Sequence, residues 1–201
     1  QVDGGVKLSY LAKFVARYGL TGIEKFVGIP GSVGGSVAMN AGAEGAEISQ
    51  VLRSIKFMTL DGEIRTYSKS EMVFAYRKTT FPSKDGIVIE AEIDLEKGKI
   101  SDIHREMDKY LSRRGSTQPL TMPNSGSIFK NPDGEKAGRL IESAGLKGCR
   151  IGGASVSIKH ANFIVNKGGA LAEDVIRLIK HIQSVVEEKS GVKLEQEIIV
   201  I

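Results

Sequence analysis

"GIPGSVGGSVAMNAGAEG", residues 28–45, holds six glycines among small neighbours, and how it is read decides which fold the rest of the chain belongs to. Glycines at 28, 31, 34, 35, 42 and 45 permit positive φ and leave main-chain N–H groups approachable, so the stretch can cradle a phosphate or can be a turn where backbones meet closely. No Gly-Lys-Ser/Thr follows, which excludes a Walker loop. No G-x-G-x-x-G follows a βαβ strand either, which excludes a dinucleotide-binding fingerprint.

Upstream of this loop, "KLSYLAKFVARYG" spaces Leu8, Leu11, Phe14, Val15 and Tyr18 along one helical face, with Gly19 placed to end the helix. Downstream, "SIKFMTLDGEIRTYS" is two β-rich runs around Asp61-Gly62, a hairpin dipeptide, and "GIVIEAEIDLEKG" is a further strand. Ser101 is the expected N-cap of the helix "SDIHREMDKYLSRRG", with Ile103, Met107, Tyr110 and Leu111 on one face and Gly115 past its end. "RRGSTQPLTMP" then reads as a connection. Beyond it come a helix in "GEKAGRLIESAGLKG", stopped at Gly145, and the strands "GGASVSI" and "NFIVN". A long helix in "ALAEDVIRLIKHIQSVVEEKSG" aligns Leu171, Val175, Leu178, Ile182 and Val185, and the chain closes on "VKLEQEIIVI". The order predicts two α+β modules, residues 1–113 and 114–201.

A chain of 201 residues that is 41% hydrophobic and 26% charged has the material for a substantial core. Its net charge of +4 is dispersed, so phosphate-bearing small molecules suit it as well as nucleic acid does. One cysteine, Cys149, rules out an internal disulfide; no apolar run reaches membrane-spanning length, and no metal-ligand spacing occurs. The chain begins at Gln1 in strand-like "QVDGG" with no signal-peptide core ahead of it, and a native segment is expected upstream.

"PNSGSIFKNP", residues 123–132, has proline at each end and Gly126 at its centre, so it is a loop in composition; its Ser, Asn and Lys side chains are free either for a ligand or for an ordinary turn. Taken in series, "GIPGSVGGSVAMNAGAEG", "YRKTTF", "SGSIFKNP", "AGRLIESAGLKG", "KHANFIVN" and "LEQE" resemble the UDP-N-acetylenolpyruvoylglucosamine reductase (MurB) family, in the same order and across nearly the whole chain. The resemblance implies a FAD-binding module over 1–113, incomplete at its front, and a substrate-binding module over 114–201. It implies reduction of UDP-N-acetylglucosamine enolpyruvate to UDP-N-acetylmuramate for peptidoglycan, with FAD reduced by NADPH, in the cytoplasm. Neither nucleic acid nor a membrane would be a partner, and oligomeric state is left open.

Residue by residue, the resemblance makes Ser127 the proton donor, Arg77 the cation that meets the substrate carboxylate and developing enolate, and Glu197 the third catalytic group. Gly28, Pro30, Gly31, Ser32, Gly34, Gly35, Asn40 and Gly42 would line the cofactor. Tyr76, Lys130, Asn131 and His160 would contact substrate. Three positions depart from the family pattern: Gln196 stands where proline is usual, Thr79 where serine is frequent, and the short interval between Arg77 and Ser127 marks the compact class without an extra substrate-covering loop. A further departure is the absence of the family's amino-terminal flavin-binding segment ahead of "QVDGG", from which the chain by itself is expected to hold FAD weakly and to lack activity. The alternative is a non-catalytic nucleotide-sugar-binding or assembly module.

Overall fold

The structure, a computed structural model, describes residues 1–83 and 85–200, so Ile201 of the expected closing run lies outside the described residues. Two compact units divide the chain, Gln1–Arg114 and Gly115–Ile201. The architecture is α+β throughout.

The first unit contains β1 (Val2–Asp3), α1 (Leu8–Ala16), α2 (Val33–Ala38), β2 (Leu52–Thr59), β3 (Ile64–Ser68), β4 (Val73–Ala75), β5 (Lys78–Thr80), β6 (Gly86–Ile93) and most of α3 (Ile100–Thr117). Four strands form an antiparallel sheet in the order β1-β6-β2-β3. Because side chains alternate along a strand, β2 sends Ile55 and Phe57 into the core while Lys56 pairs with Glu90 at 3.1 Å on the other face. The expected hairpin turn is present, with Gly62 at φ 86° and its N–H donating to Thr59 O at 3.0 Å.

Helix α1 departs from its expected face. Leu8, Leu11, Ala12, Val15 and Ala16 are buried, whereas Phe14 and Tyr18 point outward; Phe14 stacks with Tyr10 at a centroid spacing of 6.1 Å and lies tilted against Tyr18 at 5.2 Å. The two alanines let the helix sit close to its neighbours, and aromatics four residues apart satisfy one another on the open side. Helix α3 also differs at both ends. The N–H groups of Asp102 and Ile103 both donate to Lys99 O, so the helix starts ahead of Ser101 and that serine is not its cap. It then runs through Gly115 to Thr117, since one glycine costs a helix only about 1 kcal/mol.

The second unit contains β7 (Asn124–Ser127), α4 (Ala137–Ser143), β8 (Arg150–Ile151), β9 (Ala154–Val156), β10 (Phe163–Asn166) and α5 (Ala172–Ser190). Its antiparallel sheet has the order β7-β10-β9-β8. Leu178, Ile179, Ile182 and Val186 of α5 are buried with Ile128, Phe129 and Ile141. Leu171, expected on that face, is 65% exposed because it precedes the first helical turn. The terminal segment is held by Leu194, which is 1% exposed, and by a single antiparallel bridge between Phe129 and Gln196. No helix among the described residues is long and apolar enough to cross a membrane.

Candidate functional site

Strands β4 and β5 pair with Ala75 opposite Lys78, which leaves Tyr76-Arg77 as a two-residue turn. Arg77 takes a left-handed φ of 57°, a conformation costing a side-chain-bearing residue roughly 1–2 kcal/mol, so surrounding contacts must hold it. They do. Its Nη2 donates to Gly42 O at 3.3 Å, and its guanidinium lies 4.8 Å from the centroid of the Tyr76 ring. Asn40 Nδ2 donates to Ala75 O at 3.1 Å, and Thr79 Oγ1 to Val37 O at 2.6 Å. Arg77, Tyr76, Gly42 and Asn40 are thus brought together, and a planar cation fixed this way can face a carboxylate with two parallel donors.

The expected cofactor residues separate into two groups. Asn40 is 0% exposed and its carboxamide is engaged within the protein, donating to Glu47 Oε2 and Ala75 O and accepting from Ser49 N, so it supports the Arg77 turn instead of facing a ligand. Gly34 is likewise internal: a Cβ there would lie 2.7 Å from Val88 O and 3.2 Å from Gly4 O. Gly42 is wedged beside Ala46 O, 2.5 Å from where its Cβ would be. The opening N–H groups of α2 are also committed, Val33 to Val6 O, Gly34 to Gly4 O and Gly35 to Ser32 Oγ.

What remains open is the approach to that helix. Pro30 and Gly31 are exposed, and Gly31 combines φ 121° with open space around a would-be Cβ. Gly28 lies against Arg114, whose Cδ would be 2.7 Å from a Cβ at that position. The Arg114 Nε is buried and has no hydrogen-bond partner among the described residues, and burial holds its pKa below the usual arginine range. A guanidinium without an internal partner for its Nε, set against half-buried Gly28 and near the exposed Pro30-Gly31 backbone that follows that glycine in the chain, fits the diphosphate of a nucleotide cofactor.

In the second unit Ser127 ends β7 opposite Phe163, and its hydroxyl makes no hydrogen bond among the described residues. The next residue, Ile128, accepts the Glu197 N–H at 2.8 Å, so Ser127 and Glu197 come from adjoining segments although 70 positions apart in numbering, 197 against 127. Lys130 is paired with Glu195 by its ammonium and by its backbone N–H, the latter at 2.9 Å. Asn131 Oδ1 accepts from Ala137 N at 3.1 Å and so caps α4. His160 is half-buried, edge-on to Phe163 at 4.8 Å, with Nδ1 accepting from Asn162 N at 3.2 Å; burial, then Lys147, lowers its pKa and favours the neutral ring. Arg77 belongs to the first unit, Ser127 and Glu197 to the second.

Asn162, absent from the expected site, is 4% exposed and bonds the backbone of Phe129 through its side chain. Its signal in the sequence is a carboxamide inside the apolar run "ANFIV", where burial requires internal partners. Arg114 carried no such signal, because arginine at a helix end is ordinary.

These features define a two-module protein in which an α+β module with a glycine-rich loop precedes a smaller module carrying Ser127 and Glu197 on adjoining segments. Two family models match it: the FAD binding domain over residues 1–68, and the UDP-N-acetylenolpyruvoylglucosamine reductase C-terminal domain over 118–201. UDP-N-acetylenolpyruvoylglucosamine reductase 2 of Bacillus cereus is 47% identical over 98% of this chain and 65% of its own length. The reductase of Halalkalibacterium halodurans is 45% identical over the same shares. The crystal structure of the Thermus caldophilus reductase (MurB) superposes with a TM-score of 0.86 at 40% identity, over 96% of this chain and 69% of that one. The chain belongs to the UDP-N-acetylenolpyruvoylglucosamine reductase family. It spans about 65% of the length of the curated relatives it matches.

Proposed function

We propose that the protein carrying this chain is a cytoplasmic enzyme that reduces UDP-N-acetylglucosamine enolpyruvate to UDP-N-acetylmuramate, with FAD and NADPH, for peptidoglycan synthesis. The observation that carries this reading is that the Glu197 N–H to Ile128 O bond joins the segment carrying Glu197 to the one carrying Ser127, in a chain of this family. Residues 1–113 serve the cofactor and 114–201 the substrate. When bound, FAD reduced by NADPH would supply the hydride that the terminal enolpyruvyl carbon needs. The chain's own residues deal with the electron pair thereby displaced onto the neighbouring carbon and its carboxylate. Arg77 meets that carboxylate and its growing charge. Ser127 delivers a proton from Oγ to the carbon bearing the carboxylate, completing addition of hydride and proton across the double bond. Glu197, on the segment bonded to Ile128, would orient Ser127 or return its proton. Gly28–Ser32 and Arg114, the last residue of the first unit, would hold the cofactor diphosphate, and Tyr76, Lys130, Asn131 and His160 would border the substrate.

The test separates the two half-reactions. Ser127→Ala should leave reduction of bound flavin by NADPH nearly unchanged and slow reoxidation by the enolpyruvyl substrate by roughly 10² to 10⁴. Rapid-mixing absorbance follows both steps, and mass spectrometry identifies the product. Reoxidation at the parent rate would remove Ser127 from the proton transfer and overturn the proposal.

A further inference from the structure

Asn162 lies immediately before β10 and is 4% exposed, so its carboxamide has to find partners inside the protein. Its Oδ1 accepts the Phe129 N–H at 3.0 Å, and its Nδ2 donates to Phe129 O at 2.8 Å. Its backbone carbonyl accepts the Ile128 N–H at 2.9 Å, and its N–H donates to His160 Nδ1 at 3.2 Å. Exchanging both a donor and an acceptor with one residue imitates a hydrogen-bonded pair of an antiparallel ladder. The pairing of β7 with β10 is irregular between Asn124 and Ser127, and past Ser127 the side chain continues it where a neighbouring backbone would otherwise stand.

This fixes the two residues that follow Ser127. With Ile128 N–H and both polar groups of Phe129 committed to Asn162, the Ile128 carbonyl is left to receive Glu197 N at 2.8 Å. From this geometry we infer that Asn162 is a positioning residue that holds the run from Ser127 to Phe129 in place against the segment carrying Glu197; the inference rests on the reading of Ser127 as proton donor. Proton delivery to carbon tolerates little misplacement, a shift of about 1 Å costing on the order of 10²-fold in rate.

The first test needs no activity. In the 201-residue chain, Asn162→Leu should speed hydrogen exchange of the Ile128, Phe129 and Glu197 amides by roughly 10- to 100-fold, the loss expected for two internal hydrogen bonds. The Val156 and Ser157 amides, at β9 and just after it, should keep the parent rate. Equal acceleration of every protected amide in the second unit would show a purely structural residue and overturn the inference. Should the leucine variant fail to fold, Asn162→Asp carries the test. It keeps the size and the acceptor for Phe129 N–H, so Phe129 should stay protected while Glu197 exchanges faster; uniform acceleration again overturns it. In the reconstituted enzyme, Asn162→Leu should lower kcat by on the order of 10- to 100-fold with KM little changed. It should add little in a Ser127→Ala background, because it acts through that hydroxyl; fully additive losses would overturn the inference. If Ser127→Ala alone costs nothing, the proposed reaction role fails while the exchange result still stands or falls by itself.

Discussion

Replacing Asn40 by alanine should be among the most damaging single changes to the first unit. The parent carboxamide, 0% exposed, donates to the Glu47 carboxylate at 2.7 Å and to Ala75 O at 3.1 Å, and accepts from Ser49 N at 3.3 Å. A bond to a charged group contributes about 1.5–3 kcal/mol and each neutral one about 1, which sums to roughly 3.5–5 kcal/mol. The backbone adds to this. Asn40 sits at φ 41°, a region asparagine tolerates and alanine does not, for about 1 kcal/mol more. The total, about 4.5–6 kcal/mol, is comparable to the whole stability of a marginal domain. Asn40→Gly loses the same bonds but relaxes φ, so it should be about 1 kcal/mol milder than alanine. Urea unfolding followed by circular dichroism gives the totals, and hydrogen exchange of the Ile55 and Phe57 amides assigns the transition to the first unit. A loss below about 1 kcal/mol for alanine, or a glycine variant worse than alanine, would refute this account of the Arg77 turn.

Gly34→Ala puts a Cβ 2.7 Å from Val88 O, a backbone atom that cannot swing away, and should cost about 1–3 kcal/mol, read as a lower urea midpoint at unchanged slope. Arg77→Lys keeps a charge but loses the fork that reaches Gly42 O and lies over Tyr76, so steady-state kinetics should show KM raised and kcat lowered together; parent values would contradict the turn's role. His160, with a pKa lowered by burial and by Lys147, binds a proton more weakly folded than unfolded. Its contribution to stability is therefore full above about pH 6.5 and is lost as pH falls from there toward the folded pKa. Thermal unfolding across that window should show the slope in the parent and a flatter profile in His160→Gln.

Much of the fold was legible because periodicity and turn chemistry are local. The apolar spacing in α5, the Asp61-Gly62 hairpin, the strands around "GIVIEAEI" and "NFIVN", and the stop at Gly145, with φ 78°, each depend on a few neighbouring residues. Where the same local rules had two answers, packing chose between them. Phe14 and Tyr18 satisfy a core pattern as well as an outward ladder with Tyr10, and the outward one prevails because Ala12 and Ala16 fill the inner face. Gly115 reads as a stop and is instead carried inside α3.

The candidate site divides along the same line. Residue types and motif order were enough to nominate Arg77, Ser127 and Glu197, since a cation, a hydroxyl and a carboxyl are recognisable wherever they stand. Their supports were not. Asn40 reaches Ala75 across 35 positions and Asn162 reaches Phe129 across 33, and an asparagine in isolation looks the same whether it faces a ligand or replaces a missing rung of a ladder. Gly34 is a glycine because Val88 O passes beside it, not because a phosphate does, and the α2 amides that composition offered to a ligand are taken by Val6, Gly4 and Ser32. By itself the sequence determined which chemical groups the protein has and which segments are helix or strand, because those follow from side-chain chemistry and short-range sterics. Only the tertiary structure decided which polar groups are spent internally, because a hydrogen bond belongs to whichever partner the folded chain brings within reach.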